Sequence, residues 1–105
     1  MINGEKAMFV VQVNLTIPNQ FAASFQKLLL DNANATLKES GCDCFEVSVS
    51  HSDTAASFLL YEKYHHARDF DFHLTTDHFK AFDAETAHMI GEKVVNTFEL
   101  LPSAE

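Results

Sequence analysis

The sequence predicts one α+β domain of the ferredoxin-like, split βαβ type, with a four-stranded antiparallel sheet and helices on one of its faces. Three observations carry this expectation. Four short runs rich in β-branched and aromatic residues are spread along the chain, two of them separated only by a polar turn. Two other stretches repeat apolar residues at helical spacing. The pieces follow one another as strand, helix, strand, strand, broken helix, strand, and 105 residues make a single domain of them.

The first strand is MFVVQVNL, residues 8–15, which Pro18 brings to a stop. Asn19 suits the N-cap of the following helix and Gly41 its C-terminal stop. Between them Phe21, Phe25, Leu28, Asn32 and Ala35 form a stripe, while Leu30 and Leu37 fall off it and call for a second apolar contact. CFEVSVS at 44–50 and SFLLYEKY at 57–64 form a hairpin across the polar residues 51–56. A short helix over 65–74 puts Phe70, His73 and Leu74 on one side. Thr75 or Thr76 recaps a second helix, striped by Phe79, Phe82, Thr86 and Met89 or Ile90 and ended by Gly91. KVVNTFELL at 93–101 is the last strand, so the ordered core is expected over about 8–101.

On 57–64, Phe58, Leu60, Glu62 and Tyr64 share one face, and Leu59, Tyr61 and Lys63 the other. Helices cover only one face, so the other needs a cover of its own. A facing sheet from a second copy supplies it, giving a homodimer with a dimeric α+β barrel.

The net charge of -8 argues against nucleic acid and against anionic membrane surfaces as partners. No apolar run is long enough to span a bilayer, and residues 1–7 lack an apolar signal core, so a cytoplasmic location is expected. Cys42 and Cys44 sit too close for an easy disulfide and have no second pair for zinc; they read as ordinary thiols. Ten Phe and no Trp give enough aromatic surface to fill a core or to wall a pocket for a flat ligand. Three glycines cannot build a phosphate loop, so no nucleotide or flavin cofactor is expected. His65, His66, His73 and His78 lie near one another, but no pair has metalloprotease spacing, and no dedicated metal site is expected.

Three polar residues interrupt core-facing stripes. Asn32 lies mid-stripe on the first helix, where an amide needs a partner. A neighbouring backbone group, solvent at a frayed helix end or a pocket ligand provides one. Glu62 points inward on the third strand, either ion-paired with Arg68 or Lys80 or serving as an acid, a base or an anchor for an imidazole. His73, at the break of the second helical region, is either a packed core residue or the partner of Glu62 in a carboxylate–imidazole pair.

The stretch FLLYEKYHHARDFDFHLTTDHFKAF at 58–82 resembles the antibiotic biosynthesis monooxygenase family in its Tyr-Glu-x-Tyr strand end and its F-H-x-x-T-x-H-F-K-A-F piece. The first helix ends in L-K-E-S-G-C, similar to the family's L-x-E-x-G-C, and the likeness runs from Phe9 to Leu100. Quinol monooxygenases and the isomerase of a phosphorylated autoinducer dione are the branches it looks most like. The resemblance implies homodimers with facing sheets, a pocket between sheet and helices, and oxidation of phenols or quinols by molecular oxygen, often without flavin or metal. Carried over, the family's polar helix position falls on Asn32, its strand carboxylate on Glu62, and its two signature histidines on His73 and His78. His73 and Glu62 are expected to be catalytic, and Asn32, Tyr64, Phe72, His78 and Phe79 to bind substrate. Haem-degrading relatives use a Trp and an axial His; this chain has no Trp, and Phe82 or Asp83 stands near the place of that His, so haem is not expected. Three functions follow: a cofactor-independent monooxygenase of a small aromatic, an isomerase of a small hydroxy-dione, or a ligand-binding module without catalysis.

Overall fold

The structure is a computed structural model, and it describes residues 8–102. The N-terminal segment behind the location argument and the end of the polar tail lie outside the described residues. Strand β1 (Met8–Pro18) leads into helix α1 (Asn19–Thr36), then strands β2 (Cys42–His51) and β3 (Ala55–Tyr64). Helices α2 (Ala67–His73) and α3 (Asp77–Thr86), a 3-10 turn (Ala87–Met89) and strand β4 (Glu92–Leu100) complete it. The strands are antiparallel neighbours in the order β2-β3-β1-β4. This is the expected α+β ferredoxin-like arrangement.

The elements depart from expectation mainly at their ends. β1 runs on through Pro18, because its register with β3 continues to the Pro18–Ala55 pair. A proline is tolerated at this strand terminus. The helix then starts without a spacer, and Asn19 does not cap it. Its amide nitrogen instead donates to the Ser52 and Asp53 carbonyls, pinning the β2–β3 turn to the helix start. α1 ends at Thr36, five residues before Gly41. Thr36 Oγ1 donates to the Asn32 carbonyl at 2.7 Å, and residues 37–41 form tight turns. Gly41 has another use: a Cβ there would fall 2.4 Å from Asp69 Cγ. Asp69 itself caps α2, accepting from the His66 backbone N–H at 3.0 Å. Thr76, not Thr75, caps α3, accepting from Phe79 N–H.

The buried stripe of α1 is Phe25, Leu29, Asn32, Ala33 and Thr36, rotated from the expected one; Leu30 and Leu37 are exposed. Phe25 is fully buried and packs its ring on Phe58 and Phe82, at centroid distances of 5.1 and 5.8 Å, which joins α1, the sheet and α3. β1 and β3 bury Val11, Val13, Leu15, Ile17, Phe58 and Leu60 beneath the helices. β4 is different. Among the described residues it pairs only with β1, and of its nine residues eight are exposed. Val95 faces the helix side, while Val94 and Phe98 face away from it, Phe98 being half exposed. The face away from the helices is mixed rather than uniformly apolar: Gln12, Asn14, Ser48 and Ser57 lie among Leu59, Tyr61, Val94 and Phe98.

Candidate active site

A gap between the sheet and the helices forms a cavity of about 70 Å³. Its wall is mostly apolar: Val13, Leu15 and Leu60 from the sheet, Phe70 from α2, and Phe79 and Phe82 from α3. Into it come Asn32, Glu62 and His73, three buried polar residues from three different elements. The alternation of β3 turns Glu62 inward with Leu60, the stripe of α1 presents Asn32, and His73 closes the last turn of α2. The exposed liners Leu74, Asp83 and Lys93 mark the rim.

The partners of these groups differ from expectation. His73 does not pair with Glu62. Its Nδ1 donates to Oε2 of Glu39 at 2.8 Å, and His78 Nε2 donates to the same oxygen at 2.6 Å. Glu39 lies in the turns after α1, and its side chain and that of His73 are only 6% and 4% exposed. A carboxylate oxygen only accepts, so the contact fixes the ring proton of His73 on Nδ1. Nε2 is then the free lone pair, with no hydrogen-bond partner among the described residues. Burial lowers the pKa of His73 below that of an ordinary imidazole, while the hydrogen bond and the charge of Glu39 act the other way. The ring is also packed, on Phe79 at 5.1 Å and nearly parallel to Phe70 at 6.2 Å.

Glu62 takes neither Arg68 nor Lys80 as partner. Tyr64, two residues along the same strand face, donates its hydroxyl to Glu62 Oε1 at 2.6 Å. Burial pushes the Glu62 carboxyl up to about 7, only partly opposed by the Tyr64 hydrogen bond. Burial and the carboxylate beside it push the Tyr64 phenol up as well, so it stays a donor. Asn32 Oδ1 is buried and has no partner among the described residues. The cavity wall therefore offers an imidazole lone pair, a carboxylic acid that titrates near neutrality and an unpaired amide acceptor.

Of the other expected site residues, Phe79 lines the cavity. Tyr64 is fully buried and serves Glu62 rather than the cavity. Phe72 is 59% exposed and points into an outer groove, because α2 turns its neighbour His73 inward. His78 also lies outside the cavity, and it meets the lining residue His73 through their shared partner Glu39 and through a ring contact at 5.9 Å. The sequence reading passed over Glu39, although L-K-E-S-G-C contains it; its place just before Gly41 was the available signal. Lys93 was also passed over, since it sits at the start of a strand and only the register of β4 on β1, opposite Leu15, turns it toward the cavity.

The model of the family described as antibiotic biosynthesis monooxygenase matches residues 8–85. Among curated proteins nothing matches. Among solved structures, the chain is similar to an antibiotic-biosynthesis-monooxygenase-type protein of Nitrosomonas europaea, at 22% identity and a TM-score of 0.85, covering 95% of this chain and 96% of that one. It is similar to one from Caulobacter crescentus CB15 at 26% identity and a TM-score of 0.80, with 92% of each chain covered. A third, from Deinococcus radiodurans, gives 22% identity and a TM-score of 0.83 over 93% of this chain and 97% of that one. The family match runs from the start of β1 to the last turn of α3, and on that ground the chain belongs to the antibiotic biosynthesis monooxygenase family.

Proposed function

We propose that the protein is a cofactor-independent monooxygenase of a small phenol or quinol, working as a homodimer with molecular oxygen as co-substrate. The observation that carries this reading is the orientation of His73: Glu39 holds Nδ1–H, so Nε2 is left as a base at an apolar cavity. Nε2 takes the hydroxyl proton of the substrate. The electron-rich anion passes one electron to oxygen, and the two radicals combine into a peroxide on the ring. Loss of water then leaves one oxygen atom on a ring oxidised by two electrons. Asn32 Oδ1 accepts from a second substrate hydroxyl, and protonated Glu62 donates to the developing oxyanion or peroxide. The dry wall of Phe70, Phe79 and Phe82 keeps competing water out.

The cavity holds about 70 Å³, less than the ~150 Å³ of a cavity that takes benzene. A ring therefore enters as rim side chains such as Leu74 turn aside, and a polycyclic substrate needs a larger opening than a single ring. The alternative, isomerisation of a phosphorylated hydroxy-dione, would use the same base. Lys63, Arg68 and Lys80 do not line the cavity, and Lys93 at the rim is its one lining cation, with Asp83 lining it too. That balance favours a neutral substrate. The test is oxygen uptake with a panel of hydroquinones and naphthols, beside proton exchange at carbon in hydroxy-diones. Uptake with one oxygen atom incorporated per turnover supports the proposal. Exchange without uptake replaces it with the isomerase, and neither leaves a binding module.

A further inference from the structure

We propose that Glu39, His73 and His78 form a binding site for a first-row divalent transition-metal ion of the zinc class, set in the wall between the cavity and the outer groove. Glu39 Oε2, His73 Nδ1 and His78 Nε2 all lie within 4.8 Å of one another. Two imidazole nitrogens and a carboxylate make a donor set that suits zinc and its neighbours rather than calcium or magnesium. The three residues come from the turns after α1, the end of α2 and the first turn of α3, so the fold rather than a local sequence motif assembles them. That is why histidine spacing alone gives no sign of the site.

A second observation points to a cation independently. Glu39 Oε1 is buried and has no hydrogen-bond partner among the described residues, in a side chain that is 6% exposed. Both histidines serve the other oxygen. A buried carboxylate with one bare oxygen is an incompletely compensated charge. An ion between the rings and the carboxylate compensates it, with Oε1 as a further donor. Access is available, since Glu39 and His78 line the broad groove between α1 and α3, which also carries Ser40, Thr76 and Asp77. Water or a small anion from this groove can complete the ion's coordination.

Loading has a consequence for the cavity. An ion on Nδ1 of His73 requires that nitrogen's lone pair, so the single ring proton moves to Nε2. The loaded protein then presents an N–H donor to the cavity where the empty protein presents a base. Under the reaction proposed above, and resting on it, loading and turnover oppose each other. The binding itself does not depend on that reading.

The experiment is calorimetric titration of chelator-treated protein with Zn2+ alone, with nitrogen NMR of the histidine rings before and after. One ion per chain is expected, with His73 passing from the Nδ1–H to the Nε2–H form. His78→Ala and Glu39→Gln should each weaken binding by about tenfold or more. His65→Ala, at the exposed Asp43–His65 pair, should leave it unchanged. His78 is partly exposed, so its variant keeps the test open if the buried Glu39→Gln chain fails to fold. No saturable binding by the wild type, equal affinity in His78→Ala, or loss of binding in His65→Ala overturns the site. Zn2+ binding with no effect on oxygen uptake retains the site and removes the base role of His73.

Discussion

At the scale of residues, each buried polar group has a consequence that can be measured. Glu62 keeps its proton more tightly when folded, to about 7 against an ordinary 4.5. The unfolded chain therefore binds fewer protons through this group between those values, and its stabilisation is full below pH 4.5 and lost as pH rises through about 7. Glu62→Gln removes the cost of ionising it. Relative to wild type, the variant should gain about 3 kcal/mol between pH 4 and pH 8, read from urea unfolding at the two pH values. His73 has the opposite sign. Its pKa is lowered by burial, so its stabilisation is present above the ordinary imidazole value and is lost as pH falls below it. Asn32, Glu62 and His73 were legible in the sequence because each breaks an apolar stripe. Their partners were not. Stripe position tells which side chains point inward, whereas Glu39 and Tyr64 were chosen by how the turns after α1 and the pitch of β3 place them in space.

At the scale of elements, the site rests on a few joints. Thr76 caps α3 and also donates its hydroxyl to the His73 carbonyl at 2.7 Å, so one side chain sets the angle between α2 and α3. Thr76→Ala should cost about 1 kcal/mol in thermal or chemical unfolding. Its effect on turnover should exceed what that loss explains, because the positions of both His73 and His78 depend on the joint. Gly41→Ala places a methyl where Asp69 sits, displaces the α2 cap and should destabilise by more than Thr76→Ala. All seven labelled strands and helices follow from periodicity and punctuation in the sequence. The misjudged ends have local causes. Gly41 read as a helix stop but serves close approach, and Asn19 read as a cap but ties down a turn. Glycine and asparagine mark both kinds of place, and only tertiary contact separates them.

At the scale of the whole molecule, β4 is the element the monomer leaves unfinished. Val94, Val95 and Phe98 are each between 44% and 50% exposed, on both faces of an edge strand. A second copy packed on this region would bury them, and a stable association needs roughly 1,600 Å² in total. Sedimentation of the wild type should give a dimer at micromolar concentration. Phe98→Asp should raise the dissociation constant by about tenfold or more, since it buries a charge without a partner. A wild-type monomer would remove the dimer from the account. The sequence points to a dimer through the sheet face that the helices leave uncovered. The structure moves the weight of that argument to β4, because the centre of the outer face carries Gln12, Asn14, Ser48 and Ser57.

The central claim is that Glu39 fixes His73 as a base facing a cavity whose acid is Glu62. Its most direct test is the pH dependence of oxygen uptake, on whichever quinol or phenol proves active, in wild type and in Glu39→Gln. In the proposed reaction the neutral imidazole is the active form. Wild-type rate should rise through a pKa below the ordinary 6.5 and fall above about 7 as Glu62 loses its proton. In Glu39→Gln the groups that raise the His73 pKa are gone. The rise should move to lower pH and the maximal rate should drop by about tenfold or more as the ring loses its fixed tautomer; the fall should also move to lower pH, because the charge of Glu39 helps to raise the Glu62 pKa. Superimposable profiles of equal height in the two proteins would contradict the account.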